Sequence, residues 1–279
     1  MLTCEAVSAH TTVSTVALPA FHKRYGALGQ SWMARGCRHF SAGIASRRSA
    51  LGLNRDVYIY QNMAFGASDL LRGTTSDPSN YYIDQTAGYA RGPNYDKMIN
   101  AILRSPGGAT GMEEVMVQYG LNGMLTFAST GDNTPAIRQT AQLTMQGYMR
   151  TDLGLASLRF WMVPLTSQQL GTFGEEKWWA MRKSQLDTVA ADGSGLTQRA
   201  PDCYDLTRPW GDGGLGDGDD RHYAWENQAK HGARIATAIA NVAEATSGYL
   251  GPRITAVART AANTFTVTID PLGGGGFVS

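Results

Sequence analysis

The chain is short of cysteine, of net charge and of long apolar runs, and each shortage excludes something. Its three cysteines, Cys4, Cys37 and Cys203, are an odd number that cannot all pair, and their spacing fits no zinc pattern. They read as buried or free thiols, so they reveal no redox compartment. With 24 basic and 23 acidic side chains the formal net charge is +1. No phosphate-binding surface follows from that balance, and nucleic acid is not expected as a partner. No stretch approaches the roughly 18 apolar residues of a membrane span. The opening MLTCEAVSAHTTVSTVALPAF lacks the basic start and the continuous apolar run of a secretory signal. An extracellular or virion-associated location is the expectation, reached without a visible signal.

What is present is ordinary globular material. The 279 residues are 43% hydrophobic, enough to bury a core without disulfides or metals. Neither a metal nor a cofactor is expected. The 12 Tyr and 6 Trp supply flat amphipathic rings of the sort that line sugar-contacting clefts, although such rings more often fill cores.

Short apolar runs alternate with helix-like segments. Strands are expected at Asp56 to Tyr60, Val115 to Tyr119 and Leu158 to Leu165, with a last short one at Tyr204 to Leu206. Helices are expected at Asp96 to Arg104, Thr134 to Arg150 (with Pro135 in its first turn), Glu175 to Ala191 and Trp225 to Ala245. The alternation calls for crossover connections and a mostly parallel sheet covered on both faces. Ligands then bind beyond the carboxyl ends of the strands. His22-Lys23-Arg24 is a polar start for a first strand. Past Gly251 the pattern changes: Arg253 to Val257 and Thr264 to Ile269 read as a hairpin, followed by Gly-Gly-Gly-Gly-Phe-Val-Ser. The expected division is an N-terminal arm over 1–24, an α/β domain over 25–247 and a β appendage over 251–279, the appendage being completed, if at all, by a neighbouring subunit.

Four segments fall where such a sheet would put a site. Gly29-Gln30-Ser31 suits a strand-to-helix turn, where a helix N-terminus favours developing negative charge. Ala64-Phe65-Gly66-Ala67 follows a strand, and its glycine leaves a backbone N–H unobstructed. Gly120-Leu121-Asn122-Gly123 follows another, and the Asn122 amide can donate to an oxyanion. Asp219-Asp220-Arg221-His222 precedes the last helix and pairs a candidate base with a carboxylate one turn away. Alone, each is more often an ordinary loop; their order gives them meaning.

In that order the set resembles the SGNH-hydrolase (GDSL-like) superfamily over roughly residues 25 to 247, and the Gly-Gln-Ser form looks like its sialate O-acetylesterase and carbohydrate acetylesterase branch. The closing DDRHYAWENQAKHGARIATAIA is similar to the family's histidine block. The resemblance implies a three-layer α/β/α sandwich, SGNH/flavodoxin-like, with a mostly parallel sheet. It implies Ser31 as nucleophile, His222 as general base and Asp219 as its orienting carboxylate, with Asp220 a rival. The Ser31 N–H, Gly66 and Asn122 would form the oxyanion hole. The sequence departs from the family in two places: Trp32 follows the serine where the esterase branch usually has Asn, and Gly123 stands where the block ends in Asp.

Trp32, Arg208 and Trp210 are candidate substrate contacts. The glycine- and aspartate-rich Gly211 to Asp220 lacks the spacing and terminal Glu of an EF-hand and reads as a loop positioning Asp219 and His222. The expected function is an esterase removing acyl groups, foremost acetyl, from a polysaccharide or glycan. The alternative is a glycan-binding or structural module of a phage tail fibre or baseplate, with self-association or virion assembly; a lipase or thioesterase comes third.

Overall fold

The computed structural model describes residues 4–5, 22–31, 33, 57–128, 130–165, 174–201, 203, 225–243, 253–261 and 264–270. The main sheet is built from β1 (Cys4–Glu5), β2 (His22–Gly29), β3 (Val57–Asn62), β7 (Met112–Gln118), β8 (Arg159–Met162) and β9 (Thr197–Arg199). Its order is β1-β3-β2-β7-β8-β9, and every pair is parallel. A smaller sheet holds β4 (Asp69–Leu71), β5 (Tyr81–Asp84) and β6 (Ala90–Arg91). Helices α1 (Pro93–Arg104), α2 (Pro135–Asp152), α3 (Glu175–Ala191) and α4 (Trp225–Ala243) complete the α/β unit among the described residues.

Alternation along the strands shows the layers. Val115 and Val117 of β7 and Phe160 and Met162 of β8 pack with Met98, Ile99 and Ile102 of α1 and Met145 and Met149 of α2. Their neighbours Met116 and Trp161 turn to the opposite face, against Ile235, Ala236 and Ile239 of α4. Successive side chains of a strand point to opposite faces, so helices cover both sides of the sheet. The helix starts follow local chemistry. Thr134 caps α2 by accepting the Ile137 N–H at 3.3 Å, Pro135 occupies its first turn, and Glu175 and Glu176 sit at the positive end of α3.

The sheet takes in residues that the sequence assigns to an arm. Cys4 and Glu5 pair with Tyr60 and Gln61, and β2 begins at His22. Its polar start is tolerated because the groups are partnered. Lys23 pairs with Glu113. Arg24, only 2% exposed, donates to Gln61 Oε1 and Ser105 Oγ at 2.8 Å each and to the Pro106 carbonyl at 2.6 Å. The expected strand at Tyr204 to Leu206 lies outside the described residues, and β9 is a short polar strand with no apolar run to mark it.

The C-terminal hairpin is present as β10 (Arg253–Ala261) and β11 (Thr264–Asp270), antiparallel and separate from both other sheets. Side chains 256–261 and 264–268 are all exposed, Val257, Phe265 and Val267 among them. Among the described residues no helix is long and apolar enough to cross a membrane.

Candidate active site

The strand order fixes where a site can form. β2 lies between β3 and β7; the chain leaves β2 toward β3 and leaves β7 toward β8. The two connections diverge and open a crevice beyond the carboxyl ends of β2 and β7, where parallel α/β sheets bind ligands. Gly29-Gln30-Ser31 ends one of these strands and Gly120 to Gly123 follows the other.

The β2 end needs its glycine. Gly29 has φ +144°, and a Cβ there would lie 2.1 Å from the Gln118 carbonyl oxygen. The Gln30 N–H donates to that carbonyl at 3.3 Å, and helical backbone begins at Ser31. Ser31 is half-buried, and Met33 beyond it anchors the turn in the core under α4.

The loop after β3 is tied to this turn by main-chain bonds. The Gly29 carbonyl accepts the Phe65 N–H at 3.1 Å, and the hydroxyls of Ser68 and Tyr82 each lie 3.0 Å from it. Gly66 is exposed and nothing would meet a Cβ on it, so the space in front of it is open. The strained position is next door: Ala67 adopts φ +55°. Asn80 Nδ2 holds the Gly66 carbonyl at 3.0 Å.

Asn122 opens a 3₁₀ turn (Asn122–Leu125). Its backbone N–H points to Gln30 Oε1 at 3.5 Å, and its Nδ2 donates to the Ser68 carbonyl at 2.8 Å. An amide nitrogen carries two hydrogens, so the second remains for another acceptor. The turn of Ser31, the loop of Gly66 and Asn122 are thus joined to one another by direct hydrogen bonds. Under them lies a buried ion pair absent from the sequence-level expectations: Asp69 bound bidentately by Arg138 at 2.8 and 2.9 Å.

His222, Asp219, Asp220, Trp32, Arg208 and Trp210 lie outside the described residues, as does Gly211 to Asp220. Among the described residues no cluster of His, Cys, Asp and Glu could hold a metal ion.

No protein-family model matches the chain, and no curated protein matches it. Solved structures do. It is similar to TesA at 14% identity and TM-score 0.47, over 76% of this chain and 96% of that one. A lipase/acylhydrolase from Enterococcus faecalis is 12% identical at TM-score 0.48, over 79% of this chain and 96% of that one. A carbohydrate esterase family 2 enzyme plus carbohydrate-binding domain from Corynascus thermopiles (Myceliophthora fergusii) is 15% identical at TM-score 0.49, over 83% of this chain and 69% of that one.

Proposed function

We propose that the protein is an SGNH-type serine ester hydrolase that removes acyl groups, foremost acetyl, from a carbohydrate. The observation that carries this reading is the hydrogen-bonded union of three loops at the sheet's crevice: the Ser31 turn, the Gly66 loop and Asn122. It is the arrangement that a nucleophile beside two oxyanion donors requires.

In this reading His222, three residues before α4, takes the Ser31 hydroxyl proton, and Asp219 holds the imidazole tautomer. Ser31 Oγ attacks the ester carbonyl. The oxyanion accepts from the Ser31 N–H, the Gly66 N–H and the Asn122 amide hydrogen not engaged by Ser68. Collapse expels the sugar hydroxyl, which takes its proton from His222. Water, deprotonated by His222, then attacks the acyl-enzyme and releases carboxylate and Ser31. No step calls for a metal.

The test is hydrolysis of a small aryl acetate by wild type, Ser31→Ala and His222→Ala. Loss of activity in both variants, with circular dichroism unchanged, is expected. Ester cleavage that survives Ser31→Ala rules the reading out.

A second reading is favoured by the hairpin, whose exposed Val257, Phe265 and Val267 share one face. In it the chain is a glycan-binding or structural part of a larger assembly such as a phage tail device. A stable symmetric oligomer in mass measurements, with an inert wild type, would favour that reading over the first.

A further inference from the structure

The carboxylate of Asp69 is fully buried, and the Arg138 side chain is 5% exposed. Burying such a pair is costly unless its remaining hydrogen-bonding capacity is met, and here it is met by the loops of the site. Asp69 Oδ1 accepts the Gly120 N–H at 3.1 Å, and Oδ2 accepts the Thr74 hydroxyl at 2.8 Å. Arg138 Nη1 also donates to Asn133 Oδ1 at 2.9 Å. Asn133 Nδ2 in turn donates to the Gly123 carbonyl and to Thr126 Oγ1, both at 2.8 Å. The pair therefore grips the 120–126 loop on both sides of Asn122. Asp69 also follows directly on Ser68, whose carbonyl holds the Asn122 amide.

Gly123 sits tightly against this pair. A Cβ there would lie 2.4 Å from Asp69 Oδ2 and 2.5 Å from Arg138 Nη1. Its φ is not in the left-handed region, so the ion pair and not the backbone keeps a side chain out. A carboxylate at 69 and a side chain at 123 compete for one volume.

We propose that Asp69, locked by Arg138, is the positioning residue for the Asn122 oxyanion donor, and that it fills the place a side chain at 123 would otherwise take. This rests on the esterase reading above. It assigns Asp69 no contact with substrate; it acts through the loop.

The experiment measures kcat and KM for aryl acetate hydrolysis, with thermal melts, in Asp69→Asn, Asn133→Ala, Asn122→Ala and the two pairwise combinations with Asn122→Ala. Asn122→Ala should lower kcat by about 10²–10³. Asp69→Asn should lower it by about 10–10², with KM within about twofold, as displacement of a catalytic group does. In the Asn122→Ala background, Asp69→Asn and Asn133→Ala should each cost less than about threefold more, because they act through a donor already gone. Asn133→Ala unpairs no charge, so it carries the test if Asp69→Asn fails to fold.

A relocation gives the rescue. Asp69→Ala combined with Gly123→Asp should recover at least about a tenth of the wild-type kcat, because the flexible end of Arg138 can withdraw to meet a carboxylate on the other loop. Additive cycles, or a folded relocation variant no better than Asp69→Ala, overturn the proposal. If Ser31→Ala abolishes activity while Asp69→Asn and Asn133→Ala leave kcat unchanged, this inference alone fails. If wild type is inert or Ser31→Ala stays active, the esterase reading fails and takes it along.

Discussion

Gly29 passes so close to Gln118 that a side chain on it would overlap the Gln118 carbonyl, the two strand ends meeting where Ser31 begins. The contact combines with a φ of +144° that L-residues avoid. Gly29→Ala should destabilise the fold by about 3 kcal/mol and lower Tm by roughly 6–12 °C. A melt within a degree or two of wild type would show that the strand ends part at little cost.

Gly66 should behave in the opposite way. With open space before it and no left-handed φ, Gly66→Ala should change stability by less than about 0.5 kcal/mol. If its N–H serves an oxyanion, the new methyl group projects where substrate must approach, and kcat/KM for aryl acetate falls at unchanged Tm. Full activity in this variant would remove Gly66 from the hole.

Two buried groups should oppose each other in the pH dependence of stability. Burial pushes the Glu114 carboxyl up from 4.5 to about 7, against the pull of Arg159 and the Trp161 indole N–H. Burial, with Arg234 adding to it, pulls the His231 imidazole down from 6.5 to about 4. Between about pH 4.5 and 7 the folded state keeps a proton on Glu114 that the unfolded chain releases, so stability falls as pH rises. Between about pH 4 and 6.5 the unfolded chain binds a proton on His231 that the folded state refuses, so stability rises. Each slope reaches about 1.4 kcal/mol per pH unit, and they offset each other where the windows overlap. Glu114→Gln should therefore expose a Tm that climbs from pH 4.5 to 6.5, and His231→Gln one that declines. A Glu114→Gln curve parallel to wild type would refute the assignment.

The hairpin offers a check on surface apolar area. Phe265 and Val257 are each 60% exposed. Phe265→Ser should leave Tm and aryl acetate kinetics unchanged while reducing self-association in light scattering, since exposed apolar patches drive contact between copies. Unaltered scattering would mean that this face does not mediate association.

Within the α/β unit the sequence reveals the strands and helices whose burial is continuous, and it reveals the exposed hairpin by its β-branched, period-two run. Val115 to Val117 of β7 and Phe160 to Met162 of β8 are apolar on both faces because helices cover both, and α1 and α4 carry apolar residues at helical spacing. β2 was poorly legible because Lys23 and Arg24 are made tolerable by Glu113, Gln61 and Ser105, partners far along the chain. β4 and β6 are too short to show a period. Ser31, Gly66 and Asn122 stand out because each follows a strand end, where topology concentrates chemistry. Asp69 and Arg138 lie 69 residues apart, and the single trace of their union is the glycine at 123.

The Gly29 carbonyl, approached by donors from Phe65, Ser68 and Tyr82, has a consequence for how this chain can vary. A main-chain oxygen survives every substitution at its own position. A donor lost at 68 or 82 leaves the other, and the N–H at 65 persists for every residue there except proline. The turn that presents Ser31 is thus buffered against drift in the loops around it. Those loops remain free to change the shape of the cleft while the placement of Ser31 is inherited intact.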